Sequence, residues 1–89
     1  MKPIDVRVVT PEKVFFEGKA AGITLRGSEG YLSVFYDHTP LVTSLLPGVL
    51  KIRTEDNEQK EAVLSQGFME VKPEAVTIIV SSAETSANT

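Results

Sequence analysis

His38 is the only histidine in the chain and cysteine is absent, so few side chains can do covalent or metal chemistry. Acyl transfer by a serine needs a base beside it, usually a histidine held by a third group. His38 follows Asp37 in a Pro- and Thr-containing stretch with no nucleophile motif nearby, and surface hydrogen bonding is the simpler role for it. Zinc needs three or four His, Cys or carboxylate ligands, and the chain offers one His and no Cys. Glu55-Asp56-Asn57-Glu58 is the densest oxygen cluster, but it lacks the spaced ligands and central glycine of a calcium loop and suits a solvated turn. Gly27-Ser28-Glu29-Gly30 could suggest a phosphate loop. It lacks the Gly-Lys-Ser/Thr ending, connects strand to strand, and carries an acid that would repel an anion. The sequence predicts no catalytic residue, no cofactor and no metal.

Short strands punctuated by turn residues would position these groups. Ile4, Val6 and Val8 alternate with Asp5 and Arg7, the period of a half-buried strand. Thr10-Pro11-Glu12 breaks that run, and Val14-Phe15-Phe16 makes a brief second one ending near Gly18. Ala20 to Leu25 alternates again, and Gly27 to Gly30 turns the chain into Tyr31 to Phe35. After the loop Asp37-His38-Thr39-Pro40, Leu41 to Leu46 is apolar enough to be a buried strand, stopped by Pro47-Gly48. Further strands are expected at Val49 to Arg53, around Ala62 and Leu64, and around Met69 and Val71. Val76 to Val80 is apolar on both faces, which predicts a strand covered on each side. About nine or ten short strands at regular spacing predict an all-β fold, a two-sheet antiparallel sandwich in one domain over residues 1–84. From Ser81 onward little can be buried, so the end is expected to fray, with a disordered tail at 85–89.

The chain has 89 residues, enough for one domain with a modest core, and a partner surface would add stability. Nine basic residues are interspersed among twelve acidic ones for a net charge of -3, which argues against nucleic acid as a partner. No apolar run approaches the ~20 residues of a membrane-spanning helix, and the start lacks the apolar stretch of a signal peptide. Attachment to a membrane complex is therefore expected through another protein, without direct lipid insertion. The rival class is a stand-alone sandwich that binds carbohydrate or peptide on exposed rings, for which Tyr31, Phe35 and Tyr36 are the candidates and no Trp is available. A small hydrolase is weaker still.

Taken in order, the turns resemble a known family. Pro11-Glu12, Phe16-x-Gly18, Gly27-Ser28-Glu29-Gly30, His38-x-Pro40-Leu41 and Pro47-Gly48 are followed by Ser65-x-Gly67-Phe68-x-Glu70-Val71 and Val76-Thr77-Ile78. This string, from about Ile4 to Glu84, resembles the N-terminal domain of the epsilon subunit of F-type ATP synthases. The resemblance implies a non-catalytic rotor part that holds the gamma subunit and rests on the membrane c-ring, coupling proton translocation to ATP synthesis or hydrolysis. It further implies a peripheral place at the cytoplasmic face of a bacterial inner membrane. By the same resemblance, Thr10, His38, Thr39, Pro40, Leu41, Val42 and Thr43 contact gamma, and Ser28, Glu29, Gly30 and Tyr31 contact the ring. Of Leu41 and Val42, alternation predicts at least one in the core.

The sequence departs from the family in three places. Tyr31 stands where many members are polar, and Gln66 interrupts a common Ser-Gly-Gly turn. Most bacterial members continue past Ala83-Glu84 into a helical hairpin that carries inhibition, whereas this sequence ends at Thr89. Coupling without hairpin-type inhibition is expected, and strong inhibition of a matching ATPase by the sandwich alone would contradict it.

Overall fold

The computed structural model describes residues 2–85 and is built of ten strands. These are β1 (Ile4–Val9), β2 (Val14–Ala20), β3 (Gly22–Gly27), β4 (Gly30–Val34), β5 (Leu41–Leu45), β6 (Gly48–Arg53), β7 (Gln59–Leu64), β8 (Gly67–Lys72), β9 (Ala75–Val80) and β10 (Ala83–Thr85). Hydrogen-bonded neighbours run β10-β7-β6-β3-β5-β8-β9-β1-β2, with β4 on the free side of β3. The path thins between β3 and β5 to a single pair, Gly27 with Leu45. There the ladder folds into two layers, β4-β3-β6-β7-β10 over β5-β8-β9-β1-β2. Leu46-Pro47 carries the chain from one layer to the other, since proline cannot continue a ladder.

Alternation does most of the packing. Ile4, Val6 and Val8 of β1 point inward with Val76, Ile78 and Val80 of β9 and Met69 and Val71 of β8. They meet Ile23 and Leu25 of β3, Leu50 and Ile52 of β6, and Ala62 and Leu64 of β7. Among the described residues the core contains no buried polar or charged side chain, so nothing has to be satisfied inside it.

The all-β, two-sheet sandwich matches the expectation, and every ladder is antiparallel but one: β1 and β9 pair in parallel, because they meet without a hairpin to dictate direction. Other expectations are corrected. Leu41–Leu45 is not a buried strand: only Leu45 is buried, while Leu41 and Val42 are both exposed, so neither is core. Val42 faces outward by alternation, and Leu41, at an inward position, is left uncovered because β5 bonds to β8 along its length but touches β3 at one position, leaving its other edge open. β9 is not covered on each side, since Ile79 faces solvent. The expected fraying from Ser81 does not hold for Ala83–Thr85, which pair with Ala62–Leu64 of β7. Ser65 and Ser82 fasten this last strand, with Ser65 N–H donating to the Ser82 carbonyl (3.1 Å) and Ser82 N–H to Ser65 Oγ (3.0 Å). The expected tail beyond Thr85 lies outside the described residues.

Candidate docking face

The outward positions of β5, β8, β9, β1 and β2 fall into rows fixed by register. One row is Ser44, Phe68, Ile79, Val9 and Val14, each directly opposite the next. Beside it lie Val42, Glu70, Thr77, Arg7 and Glu17, and beyond those Lys72, Ala75, Asp5 and Lys19. The second and third rows largely neutralise themselves across strands. Arg7 faces Glu17 at 3.6 Å, and Lys19 Nζ donates to Asp5 Oδ1 at 2.9 Å. The hydrogen bond and charge of Asp5 hold the Lys19 ammonium above its usual pKa near 10.5.

The first row is different because it is apolar and open. Phe68 is 61% exposed and Ile79 53%, with Val14 and half-buried Val9 continuing the band and Val42 at 71% adjoining it. Phe68, Ile79 and Val9 border a shallow depression of about 630 Å³ that also takes in Thr10, Pro11, Leu46 and Gln66. A large aromatic and β-branched side chains left in water across several strands are what a partner-binding patch looks like.

The structure distributes the predicted gamma residues unevenly. Val42 lies on this face, opposite Glu70. Thr10 follows Val9 at the end of the band, but its hydroxyl is occupied locally. Oγ1 accepts the N–H groups of Glu12 and Lys13, each at 3.3 Å, and donates to the Lys13 carbonyl at 3.2 Å, so it shapes the turn. Leu41 and Thr43 take the inward positions of β5, opposite buried Val71 and Met69. His38 is half-buried; its backbone N–H donates to the Phe35 carbonyl (3.2 Å) and its Nδ1 lies 2.7 Å from the Thr39 carbonyl. Since a carbonyl only accepts, Nδ1 carries the proton in that bond, and the ring engages no serine or acid through it. Thr39 and Pro40 are exposed.

The predicted ring residues stay together. Ser28, Glu29, Gly30 and Tyr31 form the exposed tip joining β3 to β4, with Tyr31 75% exposed. Gly30 has φ +126°, which an L side chain rarely adopts. Ser28 N–H donates to the Ser44 carbonyl at 3.2 Å, tying the tip to β5. Among the described residues Glu29 has no ion pair, and no group of three or more His, Asp or Glu is placed to hold a metal.

Phe68, Ile79, Val9 and Val14 escaped the sequence reading as contact residues. The signal was present for Phe68: once Met69 and Val71 are assigned to the core, alternation turns Phe68, Glu70 and Lys72 outward.

The family model for the ATP synthase delta/epsilon chain, beta-sandwich domain, matches residues 3–86. The chain belongs to this family. Among curated relatives, the ATP synthase epsilon chain of Brevibacillus brevis is 39% identical over 84 residues, covering 94% of this chain and 64% of its own length. The ATP synthase epsilon chain of Exiguobacterium is 42% identical over 84 residues, covering 94% of this chain and 62% of its own length. The chain thus spans just under two thirds of the delta/epsilon relatives it matches. Among solved structures, a chain of the Euglena gracilis mitochondrial ATP synthase OSCP/F1/c-ring assembly superimposes with TM-score 0.88 at 27% identity, covering 93% of this chain and 53% of that one. A chain from the Tetrahymena thermophila mitochondrial ATP synthase central stalk and c-ring shares the fold at TM-score 0.77 and 23% identity, over 92% of this chain and 66% of that one.

Proposed function

We propose that this sandwich is a non-catalytic rotor module of an F-type ATP synthase, held on the gamma subunit of the central stalk by the outer face of β5-β8-β9-β1-β2. The β3–β4 tip, Ser28 to Tyr31, is then directed at the c-ring. Rotating with both, the module transmits torque between proton translocation and ATP synthesis or hydrolysis. It sits peripherally on the membrane-bound enzyme, at the cytoplasmic face of a bacterial inner membrane.

The carrying observation is the open apolar band of Phe68, Ile79, Val9 and Val14, with Val42 beside it. Family membership and likeness to a chain within an F1/c-ring assembly support the choice of partner. A cross-bonded sandwich with an all-apolar core deforms little, which suits a part that must carry torque. The rival carbohydrate or peptide module needs a shared aromatic platform. Of its candidates Tyr36 is half-buried, and Tyr31 and Phe35, though exposed in the same layer, stand four residues apart, roughly 13 Å along the strand, too far for one sugar ring to stack on both.

Titration of the purified chain with its gamma subunit tests the reading. A stable complex is expected, and Phe68→Asp should weaken it by about 2 kcal/mol or more, roughly 30-fold, while the circular dichroism of the sandwich is retained. His38→Ala should weaken it by less than about tenfold, because the imidazole bonds within its own loop. No binding, or equal binding by Phe68→Asp, contradicts the assignment.

A further inference from the structure

The opposite outer face carries a feature that gamma docking leaves unused. Ser33 of β4, Thr24 of β3 and Lys51 of β6 are cross-strand neighbours there, and Arg53 lies opposite Gly22 in the next row. Thr24 Oγ1 and Ser33 Oγ are hydrogen-bonded at 3.0 Å. Phe35 closes the end of the row. Its ring lies so close over Gly22 that a Cβ there would meet ring carbons at 2.6 Å, so the glycine makes the floor on which the ring rests. Together these residues line a groove of about 390 Å³.

The charges in the groove are uncommitted. Among the described residues neither Lys51 nor Arg53 forms an ion pair. Glu61, directly across from Lys51, has its carboxylate engaged by Gln59 Nε2 at 3.0 Å. In an acidic chain, two free cations beside two hydroxyls and an aromatic wall form a local site for an anion with an organic part.

We propose that this groove binds a phosphate ester. Lys51 and Arg53 hold the phosphate oxygens, the Thr24–Ser33 pair donates the hydroxyl proton that an anion can accept, and the organic portion lies against Phe35. The site is independent of the gamma reading, because it occupies the other layer. Two sources share this chemistry, a free nucleotide and an anionic lipid headgroup.

The test is amide chemical-shift mapping of the ¹⁵N-labelled chain against three probes at constant ionic strength. These are ADP, phosphatidylcholine vesicles containing phosphatidylglycerol, and sodium chloride. Saturable shifts confined to Gly22, Thr24, Ser33, Lys51 and Arg53 with ADP or with the anionic vesicles support the site and name its source. The double variant Lys51→Gln, Arg53→Gln should raise the dissociation constant at least about tenfold, with its spectral dispersion showing an intact fold. Absence of saturable shifts with either phosphate probe, equal shifts with chloride, or unchanged affinity in the double variant overturns the proposal.

Discussion

Gly67 shows how one residue controls the proposed docking face. A Cβ at this position would run into the Ile79 carbonyl oxygen and come within 2.9 Å of Val80 Cα, backbone atoms that cannot swing aside. Gly67→Ala should therefore part β8 from β9 and destabilise the fold by on the order of 2–4 kcal/mol in urea denaturation. Gly18→Ala is the control, since its nearest neighbour is a Phe16 ring carbon at 3.4 Å, and it should cost less than about 1 kcal/mol. Similar midpoints for the two variants would show that the β8–β9 approach is not constrained as described. Phe68, the next residue, faces outward by alternation and pairs with Ile79 across this close approach, so parting β8 from β9 there also disturbs the apolar band.

Among the elements, the β1–β2 ladder and the β3–β4 tip carry charges of different kinds. Lys19 is held above its usual pKa by Asp5, so this pair stabilises the fold fully below pH 10.5 and loses its contribution as pH rises through the raised value. The stability gap between wild type and Lys19→Met should accordingly be constant from neutral pH to about 10 and narrow above it, as followed by denaturant midpoints. A gap that widened with alkalinity would have the wrong sign. At the tip, Glu29 has no ion pair among the described residues and is proposed to meet a basic ring loop. Glu29→Lys should loosen attachment to the membrane sector by about 1 kcal/mol or less, with the difference vanishing at high salt, in a co-sedimentation assay. Retention unchanged at low salt would remove Glu29 from the contact.

For the whole molecule, the sequence made the strand count, the all-β class and the turns legible, because period-two alternation and Pro or Gly breaks are local properties. Ile4, Val6 and Val8 announce their inward face without reference to any neighbour. What alternation cannot state is which strands pair. The exposure of Leu41, at an inward position, follows from β5 having β3 as a neighbour at one residue only, and the order of Ala83–Thr85 from backbone pairing to β7. Neither leaves a mark in composition. The exposed tip of Ser28 to Tyr31 was readable because it is one continuous loop. The apolar band was not, since its members come from β8, β9, β1 and β2 and meet only through register.

The central claim is that this band is the surface the central stalk grips. Hydrogen–deuterium exchange of the chain with and without gamma addresses it directly. Added protection should appear along β5, β8, β9 and the β1–β2 turn, at Val42, Ser44, Phe68, Ile79 and Thr10, while Lys51 and Arg53 exchange as before. Protection confined to the β3-β6-β7 face, or none at all, would contradict the account.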